Sequence, residues 1–277
     1  MHPTRKAYVS AVATLCAGLV LPGFLFPQIE QNFTPEQLQS LVAPVALYPD
    51  ALLAQVLAAS TYPLETLEAT QWLQQNGDLQ GPALVEAAAE QQWDPSIQAL
   101  VVFPAALQTM SSNLRWTTAL GNAFLAQPPD VINAVQVMRQ KAYADGTLQS
   151  NSQQLVDVRS ELGQTIVKIE PTDPKVVYLP AYDPAVVYGP PPGPASAISF
   201  STGIALGEAF QDCGVSGGWG WGFNWGGSGI TVNNTFVSRY GLNATPYANM
   251  AATSAWAHNP TYRGAVPYSS NPPPSFR

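Results

Sequence analysis

Four acidic side chains near the amino terminus are the first candidates for chemistry. They are Asp50, Glu65, Glu68 and Asp94. Cleavage of a glycosidic bond uses a pair of carboxyl groups, one as the acid and the other as the nucleophile or base. Glu65 and Glu68 stand three residues apart, so they share one face of any helix that contains them. The sequence therefore allows a glycan-cleaving hydrolase if the fold brings two of these groups together.

The same acids also stand where helices begin. Asp50 and Asp94 each occupy the position of a helix N-cap. Glu65 falls in a predicted first turn, where the helix dipole favours an anion. We therefore expect these acids to stabilise helix starts, and we name no residue as catalytic. This favours a protein without enzymatic activity, with the hydrolase as the alternative.

Cysteine and histidine chemistry has few residues to draw on. The chain contains two cysteines, Cys16 and Cys213, and two histidines, of which only His258 lies beyond the amino terminus. A nucleophilic Cys213 would need His258 within hydrogen-bond reach on a rigid scaffold, yet the two lie in a glycine-rich stretch and a predicted tail. We interpret Cys213 as a leftover thiol. Zinc sites use three or four Cys, His or carboxylate ligands, so we predict no metal and no cofactor.

Three tryptophans and one arginine are the candidates for binding. Trp219, Trp221 and Trp225 stand in the glycine-rich stretch, and Arg263 belongs to a carboxyl-terminal part that has no acid beyond Asp212. Tryptophan rings stack on sugars and settle at membrane interfaces, which would require exposed rings. They also form the buried face of a local sheet, and the pattern leaves both interpretations open. The partners we consider are a cell-wall glycan, a membrane surface or an envelope protein.

Charge and composition limit the class of protein. Eleven Lys and Arg against 18 Asp and Glu give a net charge of −7, which argues against nucleic acid as the partner. Arg5 and Lys6 precede an apolar run from Ala7 to Phe26. A basic start followed by an apolar run is typical of an export signal, and the run is also long enough to remain as an anchor. We therefore expect an exported protein that is periplasmic, membrane-anchored or at the cell surface.

The remaining chain divides into a helical part and a glycine- and proline-rich part. Thr34 to Gln37 match a capping box with proline at the first helical position, and apolar residues then recur with helical spacing. Pro174 to Tyr178 and its echo, Pro184 to Tyr188, have the valine and tyrosine content of short strands. We predict a mainly α (α+β) fold, a compact bundle of short helices followed by a small β segment and a partly disordered Gly/Trp/Pro-rich carboxyl-terminal region. The predicted segments are a signal or anchor at 1–27, a helical domain at 33–164, short strands packed on it at 165–188, a proline-rich linker at 189–195, an apolar Gly/Trp-rich segment at 196–238 and an extended tail at 239–277.

Several stretches resemble a known family. The opening run from Leu41 to Gln55 is the longest of them, and Trp93 to Ser96, Leu120 to Phe124, Pro174 to Tyr178 and His258 to Pro260 are further matches. These motifs are similar to an uncharacterised family of exported bacterial proteins, domain of unknown function 3300. The resemblance implies export and an envelope setting, and it implies no activity. We therefore predict an exported cell-envelope protein that acts as a non-catalytic binding or structural module.

Overall fold

The computed structural model describes residues 32–190, 193–206, 219–227, 229–242 and 252–268. All of them belong to one unit of the chain, Gln31–Arg277. The predicted leader at 1–27, Cys213 and the predicted disordered stretches lie wholly or partly outside the described residues. Within those ranges, no helix combines the length and the apolar character needed to cross a bilayer.

The mainly α prediction is confirmed, and short helices make up the first half of the described chain. Thr34 and Gln37 form the predicted capping box. Proline is the first residue of five of the first eight helices, where its missing N–H costs no helical hydrogen bond. The α-helices with both ends in the described ranges are α1 Pro35–Val42, α2 Asp50–Ser60, α3 Pro63–Gln75, α4 Gly81–Ala89, α5 Pro95–Leu100, α6 Pro104–Ser112, α7 Leu114–Ala126, α8 Pro128–Ala144, α9 Pro184–Val187 and α10 Asn234–Arg239.

Helix α2 forms the centre of the apolar core. All of its residues from Leu52 to Ser60 are buried, which is expected for a helix that is apolar on every side. Helix α7 crosses it closely at Gly121, where an added Cβ would collide with the backbone of Ser60 and Thr61. This close approach fixes the turn between α2 and α3, which carries Thr61 and Tyr62 of the candidate site.

A long hairpin follows the helices. Strands β1 (Gln154–Glu161) and β2 (Gln164–Pro171) pair antiparallel, with Val158 opposite Val167. Leu162 and Gly163 form the two-residue turn, both with positive φ, at 51° and 80°. The first strand begins inside the range that the sequence assigned to helices. Its polar composition, with Asp157, Arg159 and Ser160, obscured the strand pattern.

The remaining strands are short and pair across the chain. Strand β3 (Val176–Val177) pairs with β6 (Ile204–Ala205), and β4 (Pro180–Tyr182) pairs with β5 (Ile198–Phe200). Strands β7 (Trp221–Asn224), β8 (Gly229–Asn233) and β9 (Thr253–Ala255) form one antiparallel sheet in that order.

Two parts of the carboxyl-terminal half differ from the sequence-based expectation. The strand predicted at Pro184–Tyr188 is wrong, because Asp183 accepts a hydrogen bond from the Ala185 N–H and caps helix α9. Part of the predicted extended tail, residues 252–268, lies against the helices instead. Its Trp256 is buried beside Phe124, with ring centroids 5.7 Å apart.

Candidate functional site

Two of the four predicted acids meet between α3 and α5. Glu65, in the first turn of α3, accepts a 2.8 Å hydrogen bond on Oε2 from the backbone N–H of Asp94. Asp94 is the N-cap of α5, as predicted, and its Oδ1 accepts from the backbone N–H and the hydroxyl of Ser96 at 2.9 and 2.7 Å. Both acids therefore hold the start of α5 in place. They form the centre of what we call the carboxyl site.

Burial separates the proton affinities of the two acids. Glu65 is 7% exposed and Asp94 is 2% exposed. Loss of water raises the pKa of Glu65 to about 9, against the lowering effect of its bond from Asp94. The same loss raises the pKa of Asp94 to about 6, since the bonds from Ser96 only partly oppose it. At neutral pH Glu65 therefore holds its proton while Asp94 is mostly ionised, a division of roles that acid–base catalysts also use.

Aromatic side chains surround the carboxyl site. The indole N–H of Trp93 donates to Oε2 of Glu68 at 3.2 Å, which brings the third predicted acid to the edge of the site. The Tyr62 hydroxyl hydrogen-bonds to the Asp94 carboxylate. Tyr262 packs edge-on against Tyr62, at 6.2 Å between ring centroids. Glu65, Glu68 and Asp94 thus lie in one aromatic environment.

Residues 256–268, which we call the covering segment, close the site from the other side. The ring of His258 stacks on Tyr62 at 5.1 Å, and its Nδ1 and Nε2 lie 3.2 Å from Thr61 Oγ1 and 2.8 Å from the Tyr268 hydroxyl. Burial, helped by the charge of Arg263, lowers the pKa of His258 to about 4. The imidazole is therefore neutral at physiological pH. No pattern in the sequence indicates that this histidine faces the α2–α3 turn.

Arg263 anchors the covering segment. Its guanidinium is fully buried and donates to the carbonyls of Thr61 and Pro267 at 2.8 and 2.9 Å and to Asn122 Oδ1 at 2.5 Å. It also lies over the Tyr268 ring, 4.3 Å from the centroid. Arg263 is one of the predicted binding residues, and the fold buries its guanidinium. Its N–H groups donate to backbone carbonyls within the fold.

Asp50, the fourth predicted acid, belongs to a different cluster. It is the first residue of α2 and not its N-cap, which is Pro49, so the predicted capping role is wrong. Its Oδ1 binds the Arg139 guanidinium at 2.6 Å and the Ile169 N–H at 3.1 Å. Its Oδ2 accepts from the Trp225 indole at 3.0 Å. The acid therefore neutralises a buried cation instead of joining Glu65 and Asp94.

The three tryptophans proposed as exposed binding residues are buried. Trp219 donates to Gln55 at 3.3 Å, and Trp225 lies over Arg139, whose guanidinium carbon is 5.3 Å from the ring centroid. Trp221 belongs to strand β7 and packs against Phe236. The sequence left an exposed and a buried interpretation open, and the buried face in a glycine-rich region describes these rings. Helix α2 requires apolar cover on every side, and the tryptophans supply part of it.

A groove of about 620 Å³ lies beside the α3–α4 connection, the α5–α6 connection and the β5–β6 turn. None of the described residues that line it is charged or aromatic. Sequence reasoning missed this groove, because its lining comes from helix ends and loops that no single periodic pattern marks. Apolar and uncharged polar side chains share the lining, among them Leu73, Leu84, Val101, Ile204, Asn76, Gln80, Ser201 and Thr202.

Metal chemistry and cysteine chemistry have no candidate site among the described residues. In the described part of the chain, no three His, Cys, Asp or Glu side chains are grouped so that they could hold a metal ion. Cys213 lies outside the described residues, so its relation to His258 stays a prediction. The candidate chemical feature of the described residues is a buried, protonated Glu65 beside an ionised Asp94.

Comparison with known proteins places the chain among relatives without an assigned activity. The family described as "Protein of unknown function (DUF3300)" matches residues 34–258. The chain is 36% identical over 332 aligned positions to "Uncharacterized protein YacH" of Escherichia coli (strain K12), and the match covers 95% of this chain and 52% of that protein. The chain thus spans about half the length of this curated relative. No solved structure matches.

Proposed function

We propose that this chain, which belongs to the family of proteins of unknown function DUF3300, is an exported cell-envelope protein that acts by binding a partner. The uncharged groove is the single observation that carries the proposal. Ligand sites in proteins are concave and mostly apolar, with a few polar groups that fix orientation. The groove has that composition, with Leu84 and Ile204 among its apolar side chains and Gln80 and Thr202 among its polar ones.

The lining of the groove favours a protein segment as the partner. Glycans bind through aromatic platforms, and the described lining has no aromatic side chain. An anionic membrane surface attracts clusters of Lys and Arg, and the same lining has neither. An uncharged, partly apolar segment of an envelope protein matches the side chains that are there. Export itself is supported by the basic start at Arg5 and Lys6 and the apolar run that follows.

A photo-crosslinking side chain placed at Ala105 tests the groove in living cells. Ala105 is an exposed residue in the first turn of α6 and lines the groove. Ala83 has the same exposure in the first turn of α4 but is outside the lining, so it is the matched control. We expect a protein adduct at position 105, its absence at position 83, and its loss when Ile204→Glu places a charge in the groove.

Three outcomes would contradict the proposal. A glycan or lipid adduct at position 105 would exclude a protein partner. Identical adducts at positions 105 and 83 would show collision without a specific site. Recovery of the chain in the cytoplasmic fraction alone, with residue 1 intact, would exclude export.

Glycan hydrolysis is a second candidate function, and the pairing of Glu65 with Asp94 favours it. A protonated acid beside an ionised carboxylate is the pair that retaining and inverting glycosidases use. The covering segment and the hydrogen bonds within the site oppose this function, since both acids already have structural partners. If the pair is catalytic, Glu65→Gln would abolish release of sugar fragments from purified cell wall by a folded protein. If it is structural, the wild-type chain releases none.

A further inference from the structure

The covering segment is attached to the helices by side chains. Strand pairing reaches it only at Trp256, whose N–H donates to a carbonyl of β8 at 2.8 Å. Beyond Trp256, its described backbone makes no backbone–backbone hydrogen bond to another element. Its other polar contacts with the helices are made through the Tyr62 hydroxyl, His258 and Arg263. The segment can therefore leave the helices without breaking a helix or a sheet.

The Tyr62 hydroxyl joins the covering segment to the carboxyl site. It accepts from the Asn259 N–H at 3.0 Å and gives its own proton to the Asp94 carboxylate. Tyr262 lies near both acids, since burial and the charges of Asp94 and Glu65 raise the pKa of its hydroxyl. The covering segment thus separates the two acids from water on this side of the site.

His258 brings no positive charge to the carboxyl site. The Thr61 hydroxyl donates to the Ala58 carbonyl at 2.7 Å, so it accepts from the Nδ1–H of His258. Burial and the charge of Arg263 lower the pKa of the ring to about 4, so Nε2 has no proton near neutral pH. Nε2 therefore accepts from the Tyr268 hydroxyl, and both ring nitrogens are satisfied in the neutral state.

Arg263 does not neutralise the acids either. It is the only Lys or Arg of the covering segment. No described Lys or Arg side chain forms an ion pair with Glu65, Glu68 or Asp94. The N–H groups of Arg263 donate to Thr61, Val266, Pro267 and Asn122. A second negative charge beside Asp94 thus has no cation to balance it and requires water.

We infer that the covering segment is released from the carboxyl site when Glu65 loses its proton, which makes it an alkaline-sensitive cover of the two acids. The closed form holds one negative charge, on Asp94, within bonds from Ser96 and Tyr62. Ionised Glu65 would place a second charge beside it at a site that water reaches poorly. Release removes Tyr262 from the site and lets water solvate both carboxylates.

Glu65 is the group of this cluster that titrates between about pH 6.5 and 9. Its pKa is about 9, against about 6 for Asp94 and about 4 for His258. Closing the segment therefore retains one proton on Glu65 in this range. The equilibrium constant for closing falls by at most about tenfold for each pH unit, because one proton is involved.

The other titratable groups around the acids keep their charge in that range. Burial raises the pKa of Tyr262 and Tyr268 above the usual value of 10, so both hydroxyls stay protonated. The Tyr62 hydroxyl keeps its proton within its bond to the carboxylate. Arg263 stays a cation, and Glu68 is an exposed carboxylate at the edge of the site. Release above about pH 6.5 is thus tied to Glu65.

Trypsin measures the release, because it cleaves after Arg263 only when this side chain leaves its buried site. Brief digestion of the folded full-length chain between about pH 6.5 and 9, read by mass spectrometry, gives the rate of this cut. Cuts after Arg239, which is exposed at the end of α10, correct for the pH dependence of the protease. Cuts after Arg139, which is buried in α8, report unfolding of the whole chain. We expect the ratio of cuts after Arg263 to cuts after Arg239 to rise by at least about tenfold, while cuts after Arg139 stay rare.

Glu65→Gln removes the ionisable group and keeps its shape. We expect the ratio of the two cuts in this variant to stay constant over the same pH range. Glu86→Gln removes an exposed carboxylate from α4 and is the matched control. We expect it to follow the wild type at every pH.

Three results would overturn the inference. The first is a wild-type ratio that does not change between about pH 6.5 and 9, and the second is a Glu65→Gln variant that keeps the wild-type dependence. The third is a parallel rise of cuts after Arg139 and Arg263, since alkaline pH would then unfold the whole chain. If Glu65→Gln fails to fold, the wild-type cuts after Arg139 and Arg263 still separate release of the segment from unfolding.

Discussion

The helical part and the carboxyl-terminal part of this molecule are held together by different forces. Around α2 the contacts are apolar, and all residues from Leu52 to Ser60 are buried. The β1–β2 hairpin and the covering segment are instead fixed by buried polar side chains. Arg139 donates to the carbonyls of Ala46, Tyr48 and Val167 as well as to Asp50. Arg263 donates to the Thr61 carbonyl and so ties the covering segment to the helices.

The two parts therefore differ in how strongly their stability depends on single residues. Dispersion and burial are spread over many side chains, so a core tolerates volume-conserving changes. A buried guanidinium concentrates several bonds in one group, and its loss leaves each of its acceptors without a partner. We therefore expect the carboxyl-terminal part to depend on two arginines more than the helical part depends on any two of its apolar residues.

Among these variants, we expect Arg139→Met to cause the largest loss of unfolding free energy. The variant keeps most of the apolar volume but removes the cation that pairs with Asp50 and one hydrogen-bond donor each from the carbonyls of Ala46 and Val167. Breaking a buried ion pair by removing one partner costs about 3–5 kcal/mol of unfolding free energy. Urea unfolding measures the change. Lys141→Met on the same helix is the control, because its pair with Asp145 is exposed and contributes under about 1 kcal/mol. Equal effects of the two variants would contradict the role given to Arg139.

Gly121→Ala applies a minimal change to the apolar part. The new Cβ would overlap the backbone of Ser60 and Thr61, so α2 and α7 must separate. Overpacking of this kind costs about 1–3 kcal/mol, which thermal unfolding detects. Gly77→Ala is the matched control, since its nearest neighbour is the Leu73 carbonyl oxygen at 4.0 Å. If both variants unfold at the same temperature, the close crossing at Gly121 does not limit stability.

Glu65→Gln tests whether the carboxyl site holds a proton. The pKa of Glu65 is raised in the fold from 4.5 to about 9, so its stabilising effect is complete below pH 4.5 and is lost as the pH rises towards 9. Asp94 and His258 change charge below about pH 6.5, so Glu65 is the member of the cluster that titrates above it. Glutamine imitates the protonated acid. We expect the variant to match the wild type at about pH 4 and to be more stable at about pH 9.

The pH dependence of urea midpoints checks this expectation. Glu86→Gln, at an exposed position on α4, is the control, because it removes the same type of charge away from the carboxyl site. A Glu65→Gln curve that runs parallel to the wild type between about pH 6.5 and 9 would show that Glu65 is ionised in the folded protein.

Asn122→Asp is the smallest expected effect and strengthens the anchor of the covering segment. Asn122 Oδ1 accepts from the Arg263 guanidinium at 2.5 Å, and a carboxylate there would turn this hydrogen bond into an ion pair. The gain is limited by the cost of burying part of a new charge, so we expect under about 1 kcal/mol of added stability. Proteolysis that cuts near residue 260 measures the local effect. Faster cutting in Asn122→Asp than in the wild type would contradict it.

The helical part is predictable from sequence because its signals are local. The capping box of Thr34 and Gln37, the cap at Asp94 and the first-turn position of Glu65 all follow from residues within one turn. The sequence allowed Glu65 and Asp94 either to meet as a pair or to act as separate helix caps. Helical spacing shows which face of its helix an acid occupies, but it does not show which residue lies opposite. Helix α9 was missed because the valines after Pro184 favour strands, whereas the side chain of Asp183 caps a helix there.

The carboxyl-terminal part is not predictable in the same way. The tryptophans of the glycine-rich stretch have no period, so the sequence does not show that Trp219 reaches Gln55 or that Trp225 reaches Asp50. The partners of Arg139 and Arg263 are largely backbone carbonyls, which every residue carries and which leave no mark in the sequence. Distant pairing of this kind depends on the whole fold.

The covering segment also has a consequence for the order in which the protein folds. The bond between Arg263 and Thr61 spans 202 residues. Closing a loop of that length costs about 5 kcal/mol of chain entropy, and this cost is repaid only after the residues between are ordered. We therefore expect α2, α3 and α5 to form while Tyr62 and Asp94 are still open to water, and the covering segment to close last.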